Sequence, residues 1–235
     1  MRKHLPNTLT ILNLTCGFIS ILLVLRGELV WAGYLIFMAG LFDFLDGFAA
    51  RLLNAYSDMG KQLDSLADVV SFGVAPAFLF SALITHTFSL LPSREMSSIL
   101  YDLIILSPVL LVLATALRLA RFNLDTAQGS MFQGLPSPAS GLFFASLVFI
   151  QDELLNIPIL VFALVSLTFS ILLVSRFPML SIKVQRLNEP KALFILLYLL
   201  FSIMILVVFS LKYIVALIIL YIFMAAVIPQ IKKRP

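Results

Sequence analysis

Residues 43–68 read DFLDGFAARLLNAYSDMGKQLDSLAD and set Asp43, Asp46, Asp64 and Asp68 inside two otherwise apolar stretches. They account for four of the chain's twelve acids. On a helix the spacings i, i+3, i+4 and i+7 put Asp43, Asp46, Gly47 and Ala50 on one face, and Gly60, Asp64 and Asp68 share a face in the same way. One ionised aspartate at mid-bilayer costs roughly 2.5 to 3.5 kcal/mol on insertion scales, so four together require water, metal or a protein counter-charge. At about 1.5 Å per residue, Asp46 and Asp64 each lie roughly 10 Å from the turn joining the two stretches, so the acidic faces meet at one level.

Working outward, the 235 residues are 61% hydrophobic and only 12% charged, with mean hydropathy +1.08. That is too apolar for a soluble core of this length and implies an all-α integral membrane protein. The single cysteine, Cys16, excludes a disulfide within the chain. The net charge of +4 comes from cations at the ends of apolar runs rather than among aromatics, which argues for membrane orientation and against a nucleic-acid partner.

About eight membrane-spanning helices are expected. The first covers about Leu9–Leu25, and it reads as a retained helix, because no small-residue cleavage site follows and Arg26-Gly27-Glu28 leads straight into the next run. The second covers about Leu29–Leu53 and the third about Met59–Ile84, with Asn54–Asp58 as their turn. A linker at Thr85–Met96 precedes the fourth helix at Ser97–Ala120, and Arg121–Ser137 is expected as a loop. The remaining helices are expected at Pro138–Ile150, Ile157–Val174, Ala192–Ser210 and Tyr213–Ile228, with a turn at Asp152-Glu153 and a polar connection at Arg176–Lys191.

In this arrangement one side takes 13 of the 16 Lys and Arg residues, leaving only Arg26, Arg94 and Lys212 on the other. The positive-inside rule then places both termini and the aspartate cluster at the cytoplasmic face of a multi-pass membrane protein. No repeat or low-complexity segment divides the chain, so residues 1–235 read as one membrane-embedded domain.

Four clustered carboxylates are hard oxygen ligands suited to Mg²⁺, Mn²⁺ or Ca²⁺, whereas zinc usually takes His or Cys, and His4 and His86 are not placed to help. Two divalent cations fit four acids, and such a pair clamps a phosphate while its attacking and leaving oxygens exchange. Gly47 and Gly60 leave bare helix faces for a ligand or a neighbouring helix, and Arg51 can bind phosphate bidentately. An ion or proton pathway in a transporter is the rival reading of acids in a membrane.

The pattern Asp43-x2-Asp46-Gly47-x2-Ala50-Arg51-x8-Gly60-x3-Asp64-x3-Asp68 resembles the complete signature of the CDP-alcohol phosphatidyltransferases. The resemblance implies a six-helix core, here about residues 5–180 with further helices at about 192–228. It implies that Asp43, Asp46, Asp64 and Asp68 hold two Mg²⁺ or Mn²⁺ ions on the pyrophosphate of CDP-diacylglycerol. It also makes Asp68 the general base, puts Gly47, Ala50, Arg51 and Gly60 against the nucleotide, and suggests a homodimer in a bacterial plasma (inner) membrane. The signature leaves the acceptor alcohol open.

Ala116-Leu117-Arg118-Leu119-Ala120-Arg121-Phe122-Asn123 and Phe132-x-Gly134-Leu135-Pro136-Ser137-Pro138-Ala139 are similar to the phosphatidylserine synthase branch, as is Pro6-Asn7-x2-Thr10-x2-Asn13-Leu14-x2-Gly17. That likeness implies L-serine as acceptor, with Arg118, Arg121 and Asn123 at its site. A guanidinium pairs with the carboxylate that serine brings, although the phosphate of glycerol-3-phosphate would suit it too, and inositol phosphate and choline are further competitors. Asn7, Thr10 and Asn13, with Gly17 on the same helical stripe, are expected to contact the cytidine or ribose of CDP-diacylglycerol.

Overall fold

The computed structural model of the protein describes residues 4–90, 97–124, 132–179 and 211–231. Helix α1 (His4–Leu25) ends where Gly27 enters the left-handed region at φ 79°, with Glu28 N–H donating to Leu23 C=O and Gly27 N–H to Val24 C=O. This closes the last carbonyls of α1 and turns the chain into α2 (Leu29–Leu52). The same device ends α2. Asn54 takes φ 48° there, with Ala55 N–H donating to Ala50 C=O and Asn54 N–H to Arg51 C=O. Asparagine can stand in for glycine because its short polar side chain tolerates that conformation. Ser57 then caps α3 (Asp58–Asp68) by accepting from Gly60 N–H at 3.0 Å.

The third helical stretch runs from Asp58 to Ser89, longer than the expected Met59–Ile84, and contains a π turn over Val69–Val74 before α4 (Ala75–Ser89). Pro76, in the first turn of α4, has no N–H and cannot tolerate the carbonyl four residues back in a regular helix. The chain widens instead, and Ala75 N–H reaches Val70 C=O.

The expected helix Ser97–Ala120 is divided into α5 (Ser98–Leu106) and α6 (Val109–Leu124). Pro108 breaks it, and Ser107 satisfies the freed Ile104 carbonyl through both its N–H and its hydroxyl. Because α6 continues to Leu124, Arg121 and Asn123 are helical rather than in a loop.

Helix α7 (Ser137–Ser146) tightens into a 3₁₀ turn over Leu147–Ile150, and the expected turn at Asp152-Glu153 is the short helix α8 (Gln151–Leu154). Helix α9 (Ile159–Val174) follows, and after a 3₁₀ turn at Leu211–Tyr213 comes α10 (Ile214–Ile231). An exposed ion pair, Lys212 Nζ to Glu153 Oε1 at 2.7 Å, ties the start of α10 to α8. The helix expected over Ala192–Ser210 and most of the Arg176–Lys191 connection lie outside the described residues.

The only strand pairing among the described residues is a two-residue antiparallel bridge, β1 (Phe132–Gln133) on β2 (Pro178–Met179). Gly134 follows it at φ 74°, pressed so close to the end of α9 that a Cβ would lie 2.7 Å from the carbonyl oxygens of Leu173 and Ser175. Leu135 N–H donates to Leu172 C=O, so this strap caps α9.

Among the described residues, four helical stretches are long and apolar enough to cross a membrane: Leu5–Leu25, Leu29–Leu52, Asp58–Ser89 and Ser98–Leu124. Ile159–Val174 and Ile214–Met224 are shorter apolar helices. Large apolar side chains such as Phe18, Phe44, Phe48, Leu113 and Leu164 point outward, while Asn13, Ser20, Asp46, Asp68, Ser71, Thr115 and Arg118 are buried. That reversal of the soluble pattern belongs to an all-α membrane protein.

The π turn lies at the centre of the helices around the acidic cluster. Phe72, fully buried, fits against Gly141 of α7, where an added Cβ would come within 2.9 Å of the Phe72 Cα and ring. Gly73 meets Thr115 of α6, and Gly17 of α1 meets Ser71. Gly141→Ala is therefore expected to cost roughly 1–3 kcal/mol of stability, read as a lower melting temperature in detergent than that of the parent protein.

Candidate active site

Helices α2 and α3 form a hairpin, and the Asn54 turn sets their relative depth so that Asp43, Asp64 and Asp68 offer carboxylate oxygens all within 4.8 Å of one another. Asp46 is on the same face of α2 as Asp43 but is buried against α1, where Thr10 Oγ1 donates to its Oδ2 at 2.7 Å. The same hydroxyl lies 3.1 Å from the Pro6 carbonyl of its own helix. Asn13, one turn further along α1, donates from Nδ2 to Asp68 Oδ1 at 3.3 Å. The two most buried carboxylates, Asp46 at 6% exposure and Asp68 at 7%, are thus the two that receive donors from α1.

The donor set fits a hard divalent cation. Ligands held about 2.0–2.6 Å from one ion are at most about 4–5 Å apart, and the three oxygens meet that limit. Two buried polar atoms beside Asp68 also have no hydrogen-bond partner among the described residues, Asn13 Oδ1 and Arg118 Nε. Buried polar groups are rarely left so, and a bound ligand with both donors and acceptors would supply the missing partners.

Gly47 faces open space, with nothing within 4 Å of where a Cβ would stand, and Ala50 is half-buried one turn on. Arg51 is exposed and folded back, its Nε donating to the Gly47 carbonyl at 2.9 Å. Gly60 lets α3 approach α1, where an added Cβ would lie 3.1 Å from Asn7 Oδ1. The Asn7, Thr10, Asn13 and Gly17 stripe therefore faces α3 and the acidic hairpin.

Of the three residues expected at an acceptor site, the structure brings Arg118 into the cluster. It is buried, its charge acts on Asp68, and Nη1 donates to Ser137 Oγ at 2.8 Å. Ser137 is the first residue of α7, whose N-cap Pro136 makes no side-chain cap, so the contact with Ser137 places Arg118 at the positive end of that helix. Arg121 instead donates from Nη1 to the Val174 carbonyl at the end of α9, at 3.3 Å. Asn123 ties α6 to α3, donating from Nδ2 to Ser65 Oγ at 2.9 Å and to Gln62 Oε1 at 3.4 Å. Lys61 joins this clasp through the Asn123 carbonyl and the Phe122 ring.

Sequence reasoning gave no role to Ser65, Ser71 or Gln62. Ser71 carried a signal, being i+3 from Asp68 and i+7 from Asp64 on one helical face.

The model of the CDP-alcohol phosphatidyltransferase family matches residues 3–174, nearly three quarters of the chain. The protein belongs to this family. Among similar proteins, the archaetidylserine synthase of Methanothermobacter thermautotrophicus is 41% identical over 145 residues, covering 60% of this chain and 56% of its own. The CDP-diacylglycerol–serine O-phosphatidyltransferase of Bacillus subtilis is 35% identical over 153 residues, covering 65% and 80%. That of Saccharomyces cerevisiae is 40% identical over 153 residues, covering 58% and 50%. The chain thus spans about half the length of the archaeal and yeast relatives. In this member of the family the signature residues from Asp43 to Asp68 are the acidic hairpin itself.

Since Asn123 is engaged with α3, Asn123→Ala is expected to cost about 1 kcal/mol of stability. Its KM for the acceptor should stay within about twofold of the parent, which acceptor-titration kinetics would check.

Proposed function

We propose that the protein transfers the phosphatidyl group of CDP-diacylglycerol to the hydroxyl of L-serine, giving phosphatidylserine and CMP. The observation that carries this reading is the convergence of Asp43, Asp64 and Asp68 beside a buried arginine with an unpartnered Nε. The names of the relatives add serine as acceptor.

Asp43, Asp46, Asp64 and Asp68 are the ligands for two divalent cations, Mg²⁺ or Mn²⁺. When bound, these supply positive charge to the pyrophosphate and the departing CMP. Thr10 and Asn13 hold two of the four carboxylates in place by donating to them. Asn7, Gly47, Ala50, Arg51 and Gly60 surround the nucleotide and phosphates. The bare face at Gly47 admits the phosphates, and Arg51 exchanges its Gly47 carbonyl for a phosphate oxygen.

Arg118 receives the serine carboxylate, helped by the positive end of α7 at Ser137. This leaves the serine hydroxyl towards Asp68. Asp68 accepts the hydroxyl proton as the serine oxygen attacks the phosphorus bearing diacylglycerol, and the bond from that phosphorus to the CMP oxygen breaks. The hairpin lies at the cytoplasmic face of the cell membrane by the positive-inside distribution, so serine and CMP exchange with cytosol while the acyl chains stay in lipid. We assign the whole chain to one catalytic domain that works as a homodimer.

The test is CMP release by purified protein with CDP-diacylglycerol and Mn²⁺ or Mg²⁺, comparing L-serine, glycerol-3-phosphate, inositol phosphate and choline. Serine-dependent release that EDTA abolishes is expected. Preference for another acceptor would remove serine and keep the reaction class, and no release with any would bring the transporter reading forward. Asp68→Asn is expected to lower kcat at least about 100-fold, the scale of a lost general base. Arg118→Ala should raise the KM for serine at least about tenfold with a smaller change in kcat, consistent with loss of a charge-assisted contact.

A further inference from the structure

Most hydroxyls in the membrane-spanning helices are satisfied locally. Thr15, Thr85, Thr168 and Ser170 each donate to the carbonyl four residues back on their own helix. Ser71 does not. It is fully buried in the π turn and sends its Oγ across to the Asn13 carbonyl of α1 at 3.0 Å. Asn13 is the residue whose side chain donates to Asp68 Oδ1. Hydroxyl, α1 backbone, amide and carboxylate form one chain of contacts running from the π turn back to the acid three residues before Ser71.

The approach is close because Gly17, one turn beyond Asn13, has no side chain. A Cβ there would stand 2.4 Å from Ser71 Oγ and 2.8 Å from Ser71 Cα, so any other residue would force the two backbones apart. The Asn13–Asp68 bond, at 3.3 Å, is already longer than the usual range of about 2.7–3.2 Å and tolerates little further separation. Ser71 and Asn13 are both fully buried, so this hydrogen bond is shielded from solvent and helps fix how α1 meets the turn.

We propose that Ser71 is a positioning residue: through Asn13 it orients the Asp68 carboxylate towards Asp43 and Asp64, with Gly17 permitting the contact. The amide bond to Oδ1 limits rotation of the Asp68 carboxylate, which offers an oxygen within 4.8 Å of those of Asp43 and Asp64. Ser71 is fully buried and its hydroxyl proton is spent on the Asn13 carbonyl, so it acts on the cluster only through Asn13. Its removal therefore loosens the acidic cluster without unmaking it. This rests on the proposed function, because it takes the cluster as the metal site.

The test is Mn²⁺ binding without substrate, read from the electron paramagnetic resonance signal of the free ion, on parent protein, Ser71→Ala, Asn13→Ala and the double variant. Partners behind a metal ligand change affinity by roughly 10–100-fold, which is the loss expected for Asn13→Ala. Ser71→Ala, one contact further out, is expected to lose about tenfold. The double variant should bind no more than about twofold worse than Asn13→Ala, since Ser71 acts through Asn13. Gly17→Ala, which keeps the hydroxyl and separates the backbones, should show the Ser71→Ala loss. In turnover, Ser71→Ala should lower kcat and leave the KM for serine unchanged, because the Arg118 end is intact.

Parent-like Mn²⁺ affinity in Ser71→Ala, or losses that multiply in the double variant, would overturn the positioning role while leaving the proposed function standing. A parent protein that binds no Mn²⁺ would overturn the functional reading and the role of Ser71 together.

Discussion

Carboxylates held at the depth of a bilayer lose their hydration and repel one another, and the structure around residues 43–68 answers both costs. The helix hairpin brings Asp43, Asp64 and Asp68 together, and the neutral donors are spent on the two acids that are most buried. Thr10 serves Asp46 and Asn13 serves Asp68, both from α1. Arg118 adds positive charge from α6. Uncharged donors hold the carboxylates in place without neutralising them, which leaves the cluster's charge for cations.

Close packing makes those donors available. The π turn after Asp68 presents Ser71, Phe72 and Gly73 to α1, α7 and α6 respectively, and glycines on the partner helices or in the turn itself remove the side chains that would hold them apart. Helices in lipid gain little from apolar contact with one another, so small residues and a few crossing hydrogen bonds have to set their positions. Ser20 to the Ala32 carbonyl, Ser81 to the Ile105 carbonyl and Ser71 to the Asn13 carbonyl are such crossings.

Much of this was legible in the sequence because the acids break an apolar background at helical spacing, and the family signature named them. The hairpin level and the shared face of Asn7, Thr10 and Asn13 follow from that periodicity. Thr10 and Asn13, expected on the nucleotide, donate to Asp46 and Asp68 instead, and Arg118 was pointed to by the resemblance rather than by spacing. What escaped was set by proline and by tertiary contact. Pro76 widens α3 into a π turn and Pro108 divides the fourth helix, effects that a count of apolar residues does not register. Arg121 and Asn123 lie in the same motif as Arg118, yet the extension of α6 to Leu124 turns them onto α9 and α3. Only the packed structure separates an arginine that faces the acids from one that caps a neighbouring helix.

The central claim is that these carboxylates direct the serine oxygen onto the phosphorus of CDP-diacylglycerol. It is tested most directly with L-serine carrying ¹⁸O in its hydroxyl, by mass spectrometry of the lipid and nucleotide formed with Mn²⁺. The account requires the label to appear in phosphatidylserine and not in CMP. Label in CMP, or no labelled lipid while CMP is still released, would contradict it.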